Sequence, residues 1–207
     1  MIRNLYVHDC VFEHTRTGLR FKTRRPRGGG GENLFYERIR MNLSGPVFEW
    51  DMLGSPAYVG NLAKRLPVLP VTPLTPQFKN ITARDIIAEQ ASQFIKATAI
   101  PETPLENVLI ENISIRSAKL IRAADVNGFV LKNATIETSD SLISLLDARN
   151  MLFENVRFNT GGALLYVDVS GPASAAIKFK NCSPLKPTGW KEANWVRPVS
   201  ANGKNDQ

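Results

Sequence analysis

One short phrase recurs seven times along the chain, and this repetition restricts the fold more than any other feature. In each copy, two apolar residues are separated by one variable residue. A polar residue follows at a fixed position, and further apolar residues come after it. Its copies are LYVHDCVF (5–12), LFYERIRM (34–41), ITARDII (81–87), VLIENISI (108–115), FVLKNATI (129–136), MLFENVRF (151–158) and IKFKNCS (177–183). The aligned polar residues, separated by 29, 47, 27, 21, 22 and 26 residues, are Asp9, Arg38, Asp85, Asn112, Asn133, Asn155 and Asn181.

A second column of Asn lies five residues before the first. Its members are Asn4, Asn33, Asn80, Asn107 and Asn150, and Gly128 interrupts it. Asn and Asp suit sharp bends because they tolerate the left-handed backbone region, and stacked Asn amides form ladders. We therefore expect both columns to be structural rather than catalytic.

A period near 22 residues with short β-rich phrases is typical of a parallel β-helix. Each phrase offers only two or three inward side chains, so the units must stack to bury them. Leucine-rich repeats share the period but need more Leu. The sequence predicts an all-β, right-handed, single-stranded parallel β-helix over residues 1–183, with about six or seven coils and little helix.

Four segments depart from the phrase. Apolar residues in 84–97 recur at helical spacing, but the flanking Asn register predicts one more coil there, and we prefer the register. Residues 54–77 contain five prolines and are expected to form a surface loop, and RPRGGGG (25–31) a second, flexible cationic loop. Residues 184–207 are expected to cover the last coil, whose edges need protection.

The excess positive charge sits in one short segment. The net charge is +7, and all but one unit of it comes from Arg16, Arg20, Lys22, Arg24, Arg25 and Arg27, with no acid among them. Such a concentration of positive charge attracts an anion, which could be nucleic acid, phosphate or an acidic polysaccharide. The plainer interpretation is a solvated loop.

Cysteine and histidine are too few for a disulfide framework or a metal site. Cys10 and Cys182 match no metal-binding spacing, and His8 and His14 have no third ligand beside them, so we expect no metal and no cofactor. The chain contains no run of about 18 apolar residues, which excludes a membrane-spanning helix.

The run TGLRFKTRRPRGGGGENLFYERIRM (17–41) resembles glycoside hydrolase family 28, the polygalacturonases. That family has a Gly-Leu-Arg-Ile-Lys stretch before a Gly-rich turn and a Tyr-Glu-Asn-Ile-x-Met phrase. PVFEWDM (46–52), TPQFKNITARDI (75–86) and AIPETPLENVLIENISI (99–115) resemble the coils that follow. The resemblance covers roughly residues 1–160 and implies inverting hydrolysis of galacturonide linkages in pectin.

The family's catalytic stretches are missing. Asn-Thr-Asp, Asp-Asp and Gly-His-Gly precede the Arg-x-Lys stretch in the family, and none occurs in this chain. The chain is therefore expected to be an N-terminally truncated, C-terminal part of such an enzyme, with no catalytic residues and no activity alone. Its partners would be the missing coils or, through an exposed edge at 2–12, further copies of itself. Family members are usually exported, which implies an extracellular or periplasmic location.

What remains is substrate binding. Arg20 and Lys22 are two apart, so on a strand they share one face while Leu19 and Phe21 point inward. The resemblance implies that this pair holds the galacturonate carboxylate beside the scissile bond. Glu49 and Asp51 could mimic an inverting carboxyl pair, but we expect them to be outward and structural.

Two alternatives stay open. One is a non-catalytic β-helix that binds acidic polysaccharide. The weaker one is nucleic-acid binding through the 16–27 cluster, which we do not expect, because with Phe21 inward the cluster lacks an exposed aromatic residue to stack bases.

Overall fold

A computed structural model describes residues 1–184 and shows an almost entirely β chain. The predicted tail over the last repeat, 184–207, lies outside the described residues apart from Pro184. The strands are β1 (Ile2–Thr15), β2 (Leu19–Lys22), β3 (Gly30–Leu43), β4 (Pro46–Asp51), β5 (Gln77–Gln90), β6 (Gln93–Thr98), β7 (Leu105–Ser117), β8 (Lys119–Thr138), β9 (Leu142–Asn159), β10 (Tyr166–Ser170) and β11 (Ala175–Lys180). One helical turn, α1 (Pro56–Val59), precedes a 3₁₀ turn at Gly60–Ala63.

The strands pair in parallel along two stacks that share their later members. The first stack runs β1, β3, β5, β7, β8, β9 and β11, and the second runs β2, β4, β6, β8, β9 and β10. Because β8 and β9 belong to both, the stacks form one curled sheet. The predicted parallel, all-β architecture is confirmed, and the right-handed β-helix stays a prediction.

The two predicted Asn and Asp columns are sharp bends inside the long strands. Every non-glycine member of both columns has φ between 50° and 57°, in the left-handed region, and Gly128 has φ 76°. Asn33 donates to Asn4 at 3.1 Å, and Asn80 donates to Asn33 at 3.1 Å. The ladder stops at Gly128, which has no side-chain amide, and a Cβ there would lie 2.9 Å from the Asn107 amide oxygen. The structural role of these columns is therefore supported by their geometry.

The core fills the space inside the curl. Alternate residues of each strand point inward, as the burial of β2 and β7 shows. Phe21 stacks on Trp50 with ring centroids 4.8 Å apart, and Trp50 stacks on Phe48 at 6.0 Å. These rings fix β2 and β4 against the core, so the outward residues of both strands have a defined direction.

Residues 84–97 follow the register rather than the helical spacing. They belong to β5 and β6, which a two-residue break separates. Ile87 is 50% exposed whereas Phe94 and Ile95 are fully buried, so the apparent apolar stripe does not lie on one face. The prediction of one more strand-forming repeat unit there is confirmed.

The proline-rich segment crosses the outside of the sheet and is fastened at both ends. Arg65 donates to both carboxylate oxygens of Asp125 at 2.7 Å and also pairs with Asp147. The Thr103 hydroxyl donates to the Pro76 carbonyl at 2.6 Å. Burial raises the pKa of the Asp125 carboxyl above its ordinary value although Arg65 acts in the opposite direction. Neither helical segment within residues 1–184 is long and apolar enough to span a bilayer.

Candidate functional site

Strand β2 presents Arg20 and Lys22 to solvent. Leu19 and Phe21 are each 5% exposed and pack inward, so alternation sends the two cations outward, as their spacing predicts. Both side chains remain about half exposed, at 48% and 45%. The residues expected to bind substrate are therefore on one accessible face.

The register of the second stack continues this row of charges. Arg20 pairs with Glu49, Glu49 with Lys96, and Lys96 with Arg122 on successive strands. Neighbouring strands are about 4.8 Å apart, so the row spans roughly 14 Å. The row then reaches Ser144 and Asp168, where the positive charge ends. We call Arg20, Lys22, Lys96 and Arg122 the cationic face.

Glu49 lies between two of these cations and positions them. Its carboxylate oxygens are 3.0 Å from Arg20 Nε and 2.9 Å from Lys96 Nζ. The Arg20 side chain is nevertheless 48% exposed, so its guanidinium remains accessible to solvent. Glu49 is only 8% exposed, so it is poorly placed to reach a substrate.

Asp51 is engaged by the chain itself. It lies 3.7 Å from Lys22 Nζ, and its Oδ1 accepts the backbone N–H groups of Leu53 at 3.2 Å and Gly54 at 2.9 Å. Trp50, which stands between Glu49 and Asp51 in the sequence, is buried. These contacts fit the structural role expected for Glu49 and Asp51 rather than catalysis.

The loop expected to be flexible at 25–31 is partly buried. Arg25 donates to both Glu102 oxygens at 2.6 Å, and the two side chains are only 6% and 2% exposed. Burial is the largest single effect and disfavours the Glu102 carboxylate, but the Arg25 hydrogen bonds, backbone hydrogen bonds and the Arg25 charge together outweigh it, so the pKa of Glu102 is below its ordinary value. Gly30 and Gly31 already belong to β3. Residues 25–29 form a loop as predicted, but one of its cations, Arg25, is internal, and the flexibility of the segment stays a prediction.

A small cleft opens beside Lys22, with a volume of about 160 Å³. Its lining, which we call the cationic cleft, consists of Lys22, Thr23, Arg24, Arg27, Gly54, Ser55 and Tyr58. Tyr58 is 82% exposed on α1. Phe21, the only aromatic residue of the 16–27 cluster, is buried as predicted, but the proline-rich segment brings the exposed Tyr58 beside the cluster.

On the first stack, positive and negative side chains alternate from strand to strand. Across successive strands its outward row reads His8, Glu37, Arg84, Glu111, Lys132, Glu154 and Lys180. Opposite charges alternate and pair, as for Lys132 and Glu111 at 2.9 Å. Hydrogen bonds from Tyr6, Arg84 and Arg38 lower the pKa of Glu37 to about 2. This face is balanced, so it offers no comparable site for an anion.

Sequence reasoning named Arg20 and Lys22. It missed Glu49 as the partner that joins Arg20 to Lys96, and it missed Lys96 and Arg122 as the continuation of the row. The repeat carried the signal, because Arg20, Glu49 and Lys96 are separated by 29 and 47 residues, like the aligned polar column. Within residues 1–184 no group of three or more His, Cys, Asp or Glu side chains is arranged to hold a metal ion. Comparison with protein-family models, with curated proteins and with solved structures gives no match.

Proposed function

We propose that this chain is the substrate-binding part of a pectin-type glycoside hydrolase, built as a right-handed parallel β-helix, and that it binds acidic polysaccharide. The observation that carries the proposal is the cationic face, which is outward, ordered by strand register and half exposed. The resemblance of residues 17–41 to polygalacturonases supports the same substrate class.

The face suits a polymer with one carboxylate on each sugar. Arg20 offers a planar fork for a carboxylate and Lys22 a point charge, two residues apart on the same strand. Lys96 and Arg122 continue the positive charge across neighbouring strands, so more than one carboxylate of a polymer can be met. Glu49 bridges Arg20 and Lys96 and offsets the repulsion between these two cations.

Hydrolysis by this chain alone is not expected. Glycoside hydrolysis uses two carboxyl groups, one as acid and one as base or nucleophile. The two carboxylates nearest Arg20 and Lys22 are Glu49 and Asp51, and both are held by cations or backbone N–H groups. A general acid or base contributes about 10²–10⁴-fold each, so their loss removes family-like turnover.

The test is calorimetric titration with oligogalacturonate. We expect Arg20→Gln/Lys22→Gln to weaken binding by roughly tenfold or more, since two charge-assisted contacts are lost. Arg40→Gln/Arg116→Gln removes the same charge from exposed residues of the first stack and should leave affinity unchanged. Equal losses in both double variants would show unspecific charge attraction and contradict the proposal.

Two further arms separate the alternatives. Tyr58 beside the cations favours a test with single-stranded DNA, and tighter binding of DNA than of oligogalacturonate would support nucleic-acid binding instead. A reducing-sugar assay on polygalacturonate should show no turnover. Turnover that disappears in Asp51→Asn would make residues 49–51 catalytic and overturn the assignment of a purely binding role.

A further inference from the structure

The cationic cleft is a built feature, because short contacts fix its walls. The Arg27 N–H donates to the Arg24 carbonyl at 2.8 Å, and the Thr23 hydroxyl donates to the Gly28 carbonyl at 2.6 Å. These bonds close a tight turn that projects Arg24 and Arg27 from one base. The buried Arg25–Glu102 pair anchors the same turn to the body of the molecule.

The opposite wall is formed by the start of the proline-rich segment. Asp51 holds the Gly54 N–H at 2.9 Å, and Gly54 has φ +81°. A Cβ at Gly54 would lie 2.9 Å from Arg24 Cδ, so the backbone there packs directly against the Arg24 side chain. Arg24 is thereby held in place in the same cleft that Tyr58 lines.

Arg24 carries an unused donor. Its Nε is buried and has no hydrogen-bond partner among the described residues. A buried N–H without an acceptor is unfavourable, and a guanidinium N–H favours an anionic oxygen. The seven lining residues include three cations and no carboxylate. Lys22 lies 3.7 Å from Asp51, just outside the lining, so Arg24 and Arg27 supply the cleft's positive charge.

We propose that this cleft binds the oxyanion of one acidic sugar unit, carboxylate or sulfate ester, with Arg24 and Arg27 as its ligands and Tyr58 as a wall for the sugar ring. The inference rests on the proposed function and adds a second anion position, distinct from Arg20. At about 30 Å³ for each water in the liquid, the cleft holds on the order of five waters, which matches one small group rather than a polymer passing through.

The experiment uses NMR to monitor the Arg24 Nε–H group. In chain labelled with ¹⁵N-arginine, titration with monomeric galacturonic acid should shift the Arg24 Nε–Hε resonance saturably, and neutral galactose should not. Arg24→Gln/Arg27→Gln should weaken binding of galacturonic acid by roughly tenfold. Arg40→Gln/Arg116→Gln is the charge-matched control, and a thermal midpoint for each variant establishes that it is folded.

The outcomes separate this inference from the proposed function. If Arg20→Gln abolishes binding of the monomer while Arg24→Gln/Arg27→Gln leaves it unchanged, the cleft is not the site and the inference fails, although the cationic face stands. If the cleft variants lose the monomer while Arg20→Gln/Lys22→Gln leaves oligogalacturonate affinity unchanged, the inference stands and the proposed function fails. Inorganic sulfate binding as tightly as galacturonic acid would overturn the assignment to a sugar.

Discussion

Single backbone positions in the left-handed conformation decide where this chain turns. One of these positions holds a residue that does not favour this conformation. Register places Ala176 of β11 opposite Asn150, in the second Asn column, and Ala176 has φ 52°. An alanine in the left-handed region is strained by about 1–2 kcal/mol, whereas Asn tolerates it. The sequence pattern did not identify this position, because alanine gives no side-chain signal of a bend.

We expect Ala176→Asn to stabilise the protein by about 1 kcal/mol. The substitution relieves the backbone and adds an amide that can donate to Asn150, as the other ladder members do. Urea unfolding measures the change in the free energy of unfolding. Ala175→Asn, at the exposed neighbouring position, is the matched control and should have little effect. A destabilised Ala176→Asn protein would contradict the register at β11.

The Arg25–Glu102 pair should govern part of the stability. Glu102→Gln leaves a buried guanidinium without its counter-charge, which costs about 3–5 kcal/mol at neutral pH. Glu89→Gln removes the partner of Arg40 from an exposed pair and should cost about 0–1 kcal/mol. Equal effects of the two substitutions in urea unfolding would contradict the burial of the Arg25–Glu102 pair.

The same pair predicts a pH dependence. The pKa of Glu102 in the folded chain lies below its ordinary value, so the folded state binds fewer protons than the unfolded state in mildly acidic solution. Its contribution is therefore complete above the unfolded pKa of about 4.3 and is lost as pH falls through the folded pKa. The stability gap between wild type and Glu102→Gln should narrow below about pH 4. If the stability difference between wild type and Glu102→Gln grew as pH falls, the pKa of Glu102 would have to be raised in the folded chain, contrary to the prediction.

Among the elements, the proline-rich segment is attached to the sheet through few residues. Arg65 is the contact that joins it to Asp125 and Asp147, both of them buried. Arg65→Met should release the segment, and chymotrypsin should then cut within residues 54–76 roughly tenfold faster. Lys64→Met changes the adjacent exposed cation and should leave the cleavage rate as in wild type. Unchanged cleavage in Arg65→Met would show that other contacts hold the segment.

Strand β1 predicts a second behaviour at this scale. Among the described strands it pairs only with β3, and Leu5, Val7, Cys10 and Phe12 are only partly buried on its inner side. An open edge invites pairing, so we expect self-association that rises with concentration in light scattering. Val11→Lys places a charge at an exposed position of this strand and should reduce it. A wild-type protein that stays monomeric across the concentration series would contradict the prediction.

The repeat predicted the elements better than local pattern did. The register assigned 84–97 to strands although Ile87, Phe94 and Ile95 have helical spacing, because partner strands on both sides override local periodicity. It also directed Arg20 and Lys22 outward. Tyr58 could not be predicted at the cleft, because its place depends on how a long segment folds back, and no periodic pattern encodes that.

Across the whole molecule, stability should fall from the middle of the stack toward β1. The core is continuous from Leu19 to Cys182, but each repeat unit contacts only its neighbours. Among the strands of residues 1–184, β7 and β8 have partners on both sides, whereas β1 pairs with one strand. Amide hydrogen exchange should therefore be slowest in β7 and β8 and fastest in β1.

The two thiols compare the protection of β1 with that of the region after β11, at the other end of the stack. Cys10 lies partly buried on β1, while Cys182 is 3% exposed and burial raises the pKa of its thiol. A thiol reacts as the thiolate, so both burial and the raised pKa slow Cys182. Native chain should label rapidly at one thiol and slowly at the other, and Cys10→Ser should remove the rapid phase. Because Cys182 reacts only when its repeat unit opens, its rate should rise with urea more steeply than that of Cys10. Equal labelling rates of the two thiols in the native chain would show that β1 is as protected as the region around Cys182. That result would contradict the prediction that β1 opens more readily.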